Sequence, residues 1–312
     1  MNKMYLKELG FGGRINVDVY APRGSDVRDA KDSNPAVVVV CGGGGKDART
    51  GKETLIGKHA AAYHDLGESL SDAGFWAIIP SRRGDPQRTQ ALHQNLSPQF
   101  GRLPQVLFVD EGPNEGPHSH KSHVVELTYL VENLASIFGP GLDVTRVGLL
   151  GKSAGGGVAL ATAATVGNRI SSVALWGSAL RTSQWFTGPK ADSFFYEVLD
   201  SRGVSYDKEA FLDGMCDAID YVAQIEVATL FACAAFDPYA PTPPEFDKWS
   251  SASEQLELMR YAIHSRYSKT VTVKGAEHTM YKEHLAWRPY IKTLTEWFSE
   301  TLSLESRQGG KQ

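Results

Sequence analysis

The sequence predicts an α/β protein, a mostly parallel, twisted sheet with helices on both faces, in one domain over residues 1–312. Three observations carry this. Short apolar, β-branched segments alternate along the chain with stretches whose apolar residues recur at helical spacing. One of those segments, Ala36–Val40, is apolar throughout, as a strand covered on both faces should be. At Arg146–Gly157, R-V-G-L-L-G-K-S-A-G-G-G, a short apolar run passes through a glycine-rich turn into the Ala- and Leu-rich stretch Val158–Ala164. That is strand, tight turn, helix.

The elements follow in order. Ile15, Val17 and Val19 alternate with polar residues, so Arg14–Tyr20 reads as a half-buried strand, paired through Gly12 and Gly13 with Tyr5–Leu9. The Val-rich strand ends in Cys41 and the four glycines Gly42–Gly45. Tyr63, Leu66, Leu70 and Ala73 mark a helix over 58–73, and Phe75–Ile79 is the next strand. Residues 86–120 are rich in Gly, Pro, Asn and Gln around one apolar patch, Val106–Val109, and are expected to form a lid-like insertion. Leu127, Val131, Leu134 and Phe138 define one helix. Beyond the central turn, Ser172–Trp176 is a strand, and 178–224 breaks the rhythm as a second lid-like insertion. Thr229–Ala234 is a strand, 254–264 a helix, Thr270–Val273 the last strand, and a terminal helix begins near Pro289.

Composition narrows the function. With a formal net charge of −4, nothing in the composition suggests nucleic acid or an anionic membrane as a partner. The first residues lack the apolar core of a signal peptide, and no apolar run reaches membrane-spanning length. Cys41, Cys216 and Cys233 lack metal-ligand spacing and are expected as reduced thiols in a cytoplasmic protein.

In parallel sheets, ligands sit beyond the carboxyl ends of the strands. Those ends hold the glycine run, Ser153 in G-K-S-A-G, Asp237 after Phe236, and His278 in K-G-A-E-H. A serine hydroxyl needs a base to take its proton, and the base needs a third group to orient it. Ser153, Asp237 and His278 supply these types in the order Ser…Asp…His, each just after an expected strand. A carbonyl under attack also needs N–H donors for its developing charge. Ala154 follows the serine, and Gly43 or Gly44 can bring a second amide close without a Cβ.

With these blocks in place, the chain resembles the α/β-hydrolase superfamily, in its esterase, lipase and dienelactone-hydrolase-like branches. The resembling blocks are V-V-V-V-C-G-G-G-G, G-F-W-A-I-I-P-S-R-R-G, G-K-S-A-G-G, the run around Asp237 with Pro241, and G-A-E-H, spanning about 36–281 in the family's order. The resemblance implies Ser153 as nucleophile, Asp237 as acid, His278 as base and the glycine loop as oxyanion hole. Cys41 stands where the family often has histidine, and Ser81 where it often has aspartate.

The expected activity is cleavage of a carboxylic ester through an acyl-enzyme, with a small-molecule substrate and no cofactor or metal. Trp185, Phe186 and Phe195 in the second insertion, with Lys152 and Trp176, are candidate substrate contacts, which favours a bulky or cyclic ester or lactone. Amide or peptide hydrolysis, acyl transfer or a lyase reaction on the same triad, and a non-catalytic binding protein on this fold, stay open. Asp217 and Asp220 are rivals to Asp237, and His284 to His278. His118, His120 and His123 form H-x-H-x-x-H without a carboxylate or cysteine partner at ligand spacing, and are expected as solvated loop histidines.

Overall fold

The structure is a computed structural model that describes residues 13–25, 33–42, 55–80, 105–111, 120–183, 208–235, 237 and 251–303. Its strands are β1 (Gly13–Tyr20), β2 (Asn34–Val40), β3 (Trp76–Pro80), β4 (Gln105–Glu111), β5 (Leu142–Lys152), β6 (Ser172–Trp176), β7 (Ala228–Ala234) and β8 (Ser268–Val273). They form one sheet in the order β4-β1-β3-β2-β5-β6-β7-β8. From β3 through β8 every neighbouring pair is parallel, while β1 runs antiparallel to both β3 and β4.

The described helices are α1 (Leu55–Asp72), α2 (His120–Glu132), α3 (Leu134–Phe138), α4 (Gly155–Val166), α5 (Lys208–Asp213), α6 (Ala218–Val222), α7 (Ser251–Tyr261) and α8 (Trp287–Thr301). None is long and apolar enough to cross a membrane.

The β2 sequence shows why the sheet is covered twice. Ala36, Val38 and Val40 enter one core with Leu127 and Leu130 of α2, Val158 and Leu160 of α4, Val222 of α6 and Leu258 of α7. Val37, Val39 and Cys41 enter the other with Tyr63, Leu66 and Leu70 of α1 and Leu294, Trp297 and Phe298 of α8. Strand side chains alternate faces, so an uninterrupted apolar run needs a helical layer on each side. Cys41, Cys216 and Cys233 are buried free thiols within this body.

Three expectations change. Gln105–Glu111 lies inside the first expected lid segment, yet it pairs along β1 from Gly13↔Glu111 to Val19↔Gln105. The run Val106–Val109 is a strand signal, and it closes the sheet's edge. The expected partner, Tyr5–Leu9, lies outside the described residues. In the second segment, Cys216, Ala218 and Val222 are core residues, so its last third is body. The helix expected through Phe138 starts at His120 and breaks at Asn133, whose side-chain amide donates to the Tyr129 carbonyl at 2.8 Å. Asparagine competes in this way for helical backbone groups.

The chain leaves β2 for β3 on one side and β5 for β6 on the other, so the sheet reverses its winding between β2 and β5. Helices diverge from such a point and leave a crevice beyond the strand ends.

Candidate active site

Ser153 lies at that crevice. It follows Lys152, the last residue of β5, and precedes α4 by two residues. Its φ is +55°, the one positive φ on a non-glycine side chain among the described residues. A left-handed backbone costs an ordinary residue about 1–2 kcal/mol, so the neighbours must hold it. Ser153 N–H donates to the Trp176 carbonyl at 2.9 Å, and the Ser153 carbonyl accepts from Gly156 N–H at 2.9 Å. Ala154 N–H lies in the first turn of α4, where backbone donors lack intrahelical partners.

β2 delivers Gly42 against the serine. A Cβ there would lie 2.7 Å from Ser153 Cβ and 3.3 Å from its Oγ, so this position needs glycine for close approach. Gly42 N–H is committed to the Tyr63 hydroxyl at 2.9 Å. Gly43 and Gly44, the expected second oxyanion donors, lie outside the described residues.

Two further strand ends supply the other expected partners. Asp237 follows β7, and His278 follows β8. His278 Nδ1 lies 2.8 Å from Asp237 Oδ2, with the carboxylate 1% exposed and the imidazole 10%. A carboxylate accepts, so Nδ1 carries the proton and Nε2 keeps a lone pair available for a base's work. Gly177, directly after β6, has φ +56° and packs beneath this pair. The Trp176 indole N–H donates to the His278 carbonyl at 3.1 Å. Trp176 and Gly177 thus touch both the serine turn and the histidine loop.

The rival residues are engaged elsewhere. Asp217 accepts from Ser183 N–H at 2.8 Å, and Asp220 lies 3.8 Å from Arg181. His284 accepts from Ala286 N–H at 3.1 Å through Nδ1 and lies 3.8 Å from Glu277 through Nε2.

Lys152 and Trp176, expected as substrate contacts, are both buried. The Trp176 ring packs edge-on against Tyr290 at 4.5 Å, inside the core. Lys152 Nζ sits 5.1 Å over the Tyr63 ring, and burial pulls its ammonium down to about 8, opposed by the Coulombic effects of Cys41 and Asp237. Lys152 and Trp176 pair in register across β5 and β6, so both side chains point to the face covered by α1 and α8. Trp185, Phe186 and Phe195 lie outside the described residues, as does His118.

His120 and His123 are buried on α2, not solvated, and His120 Nδ1 accepts from Cys216 N–H at 3.3 Å. The helix begins earlier than its apolar spacing suggested, which turns both rings inward. Among the described residues, no three His, Cys, Asp or Glu side chains are grouped to hold a metal ion.

A polar cleft of about 590 Å³ opens at the opposite, amino ends of β2 and β5, between Arg23, Asp72, Asn34 and Arg146. Arg146 there is already engaged by Asp143 at 2.6 Å and the Ser33 carbonyl at 2.8 Å. This cleft is remote from the serine.

Sequence reading missed Tyr63 and Gly177. A glycine just past a strand end was the available signal for Gly177. Nothing in the local sequence links Tyr63 to a backbone amide 21 residues away.

No protein-family model matches the chain, and no curated protein matches it. Solved structures do. Est1E from Butyrivibrio proteoclasticus, with ferulic acid bound, superposes at a TM-score of 0.56 and 15% identity, over 92% of this chain and 95% of that one. Dienelactone hydrolase from Anabaena variabilis gives 0.50 and 14%, over 93% of each chain. A puromycin-hydrolyzing peptidase from Mycobacterium tuberculosis gives 0.55 and 13%, over 93% of this chain and 37% of that longer one. Likeness at such identities is likeness of fold.

Proposed function

We propose that this protein, whose fold is that of the α/β-hydrolases, is a serine hydrolase that cleaves a carboxylic ester. The observation that carries the reading is Ser153, held at φ +55° on a strand-to-helix turn, with the His278–Asp237 pair at 2.8 Å on the same carboxyl edge of the parallel strands. A structural turn has no need of a left-handed serine, and strained residues cluster where function requires them.

In the proposed reaction, His278 Nε2 takes the proton from Ser153 Oγ as the oxygen attacks the acyl carbon. Asp237 keeps the imidazole in the required tautomer and stabilises the imidazolium. The carbonyl oxygen becomes an oxyanion held by Ala154 N–H and by an amide of Gly43 or Gly44. Collapse breaks the ester C–O bond, and the alcohol leaves with the proton from His278. Water, deprotonated by the same histidine, then attacks the acyl-enzyme and releases the acid and Ser153. The ferulic acid bound to Est1E and the lactone in the Anabaena protein's name support a bulky or cyclic ester as the substrate class.

Two measurements test this. A fluorophosphonate should label wild type on Ser153 and leave Ser153→Ala unlabelled. p-Nitrophenyl esters from acetyl to decanoyl should be turned over by wild type and not by a folded Ser153→Ala. Absence of both labelling and turnover in wild type would sink the serine-hydrolase reading.

A further inference from the structure

Helix α1 reaches both loops of the candidate site. Tyr63 is buried, and its hydroxyl accepts Gly42 N–H at 2.9 Å, at the root of the glycine run. Two residues on, Asp65 is also buried, and its Oδ2 accepts Lys282 N–H at 2.9 Å. Lys282 is four residues past His278 on the same connection to α8. The Lys282 ammonium lies 3.6 Å from Glu68, a turn further along α1. The helix between these contacts is anchored, since residues 62–67 are all buried. His64, between the two, is bound to the Tyr20 hydroxyl of β1 at 3.0 Å.

Lys282, Glu68 and Glu283 are the charged side chains that act on the buried Asp65 carboxylate. Burial pushes Asp65 up to about 6, so at neutral pH the fold holds a charge there against its preference. Strongly perturbed groups cluster at functional sites. Both contacts are long-range in sequence, and each ends on a loop carrying proposed machinery.

We propose that Tyr63 and Asp65 are positioning residues, by which α1 sets Gly42 and the connection after His278 in register around Ser153. This rests on the serine-hydrolase reading above. Tyr63 acts through Gly42, whose backbone packs against the Ser153 side chain. Asp65 acts through the Lys282 amide on the placement of the imidazole. Neither side chain touches the reacting atoms. The hydrogen bond, not the charge, is the working part of Asp65, so an amide oxygen in its place serves.

The test is the rate of fluorophosphonate labelling of Ser153, separated into its maximal rate and half-saturating concentration, with thermal melting of each variant. Labelling needs the base and the oxyanion donors but no matched ester. Tyr63→Phe and Asp65→Ala should each slow the maximal rate about tenfold, with half-saturation within about twofold of wild type. Asp65→Asn should restore the rate to within about twofold, because its side-chain oxygen still accepts Lys282 N–H. A folded Tyr63→Phe or Asp65→Ala with the wild-type maximal rate overturns the assignment. So does an Asp65→Asn as slow as Asp65→Ala. Should Asp65→Ala not fold, Tyr63→Phe and Asp65→Asn decide by the same criteria. An unlabelled wild type is a different failure: it removes the serine reading itself, and the positioning role with it.

Discussion

Replacing Gly177 with alanine would put a methyl group under the Asp237–His278 pair. The added Cβ would lie 3.0 Å from Asp237 Oδ2 and 3.1 Å from His278 Nδ1, where ordinary contact begins at 3.4 Å. The pair must therefore give by 0.4 and 0.3 Å, or Gly177 must move. Backbone strain adds a second effect, since φ is +56° and a left-handed alanine costs about 1–2 kcal/mol. A misplacement of about 1 Å can cost roughly a hundredfold in rate. A shift of 0.3 to 0.4 Å then corresponds to a loss of about four- to sixfold. Gly74→Ala is the matched control. Gly74 has φ +92°, a Cβ there meets nothing within 4 Å, and it lies at the far end of the sheet. Both variants should lose stability in urea titration, while Gly177→Ala alone loses labelling and ester turnover. A folded Gly177→Ala with wild-type rates would refute the assignment of this histidine and aspartate as working parts.

Two further outcomes concern buried charge. Lys152 is pulled from 10.5 to about 8 by burial. Its native form thus binds fewer protons than the unfolded chain between those values, and stability rises with pH across that window. Lys152→Met should be more stable than wild type at pH 7 by up to about 3 kcal/mol, with the advantage shrinking above pH 8. Urea midpoints at pH 7 and 9.5 check this, and an advantage that grows with pH would contradict it. Asp65 has the opposite sign. Its pKa rises from 3.8 to about 6, so stability falls as pH climbs through that window and the ionised form bears the full cost above it. Asp65→Asn should be more stable than wild type at pH 7 by up to about 3 kcal/mol, and by nothing measurable near pH 3.5. Equal differences at both pH values would show that its burial is not the cause.

Much of this site was legible because each part is local. Val37–Val40 announced a doubly covered strand by having no polar alternate. G-K-S-A-G announced its turn because only small neighbours allow a serine so sharp a bend. Asp237 and His278 were legible as strand-end residues. Where the reading changed, the cause was a partner distant in sequence. Val106–Val109 was visible as apolar, but its role as β4 depends on the exposed edge of β1. His120 and His123 looked solvated beside a Gly-Pro loop, and α2 carries them inward. Trp176 offered an aromatic surface for a substrate, and its indole instead holds the His278 carbonyl.

By itself the sequence determined the alternation of strands and helices, the serine turn, and the candidate residues Asp237 and His278 at the ends of later strands. Periodicity and turn chemistry act over a few residues and can be read there. Only the tertiary structure decided that Asp237 meets His278 at 2.8 Å across 41 residues, and that Asp65 holds the amide of Lys282 across 217. The winding of the sheet reverses between β2 and β5, and there Gly42 meets Ser153 side by side. Contacts made there are set by packing two helical layers against eight strands, which no short stretch of chain encodes.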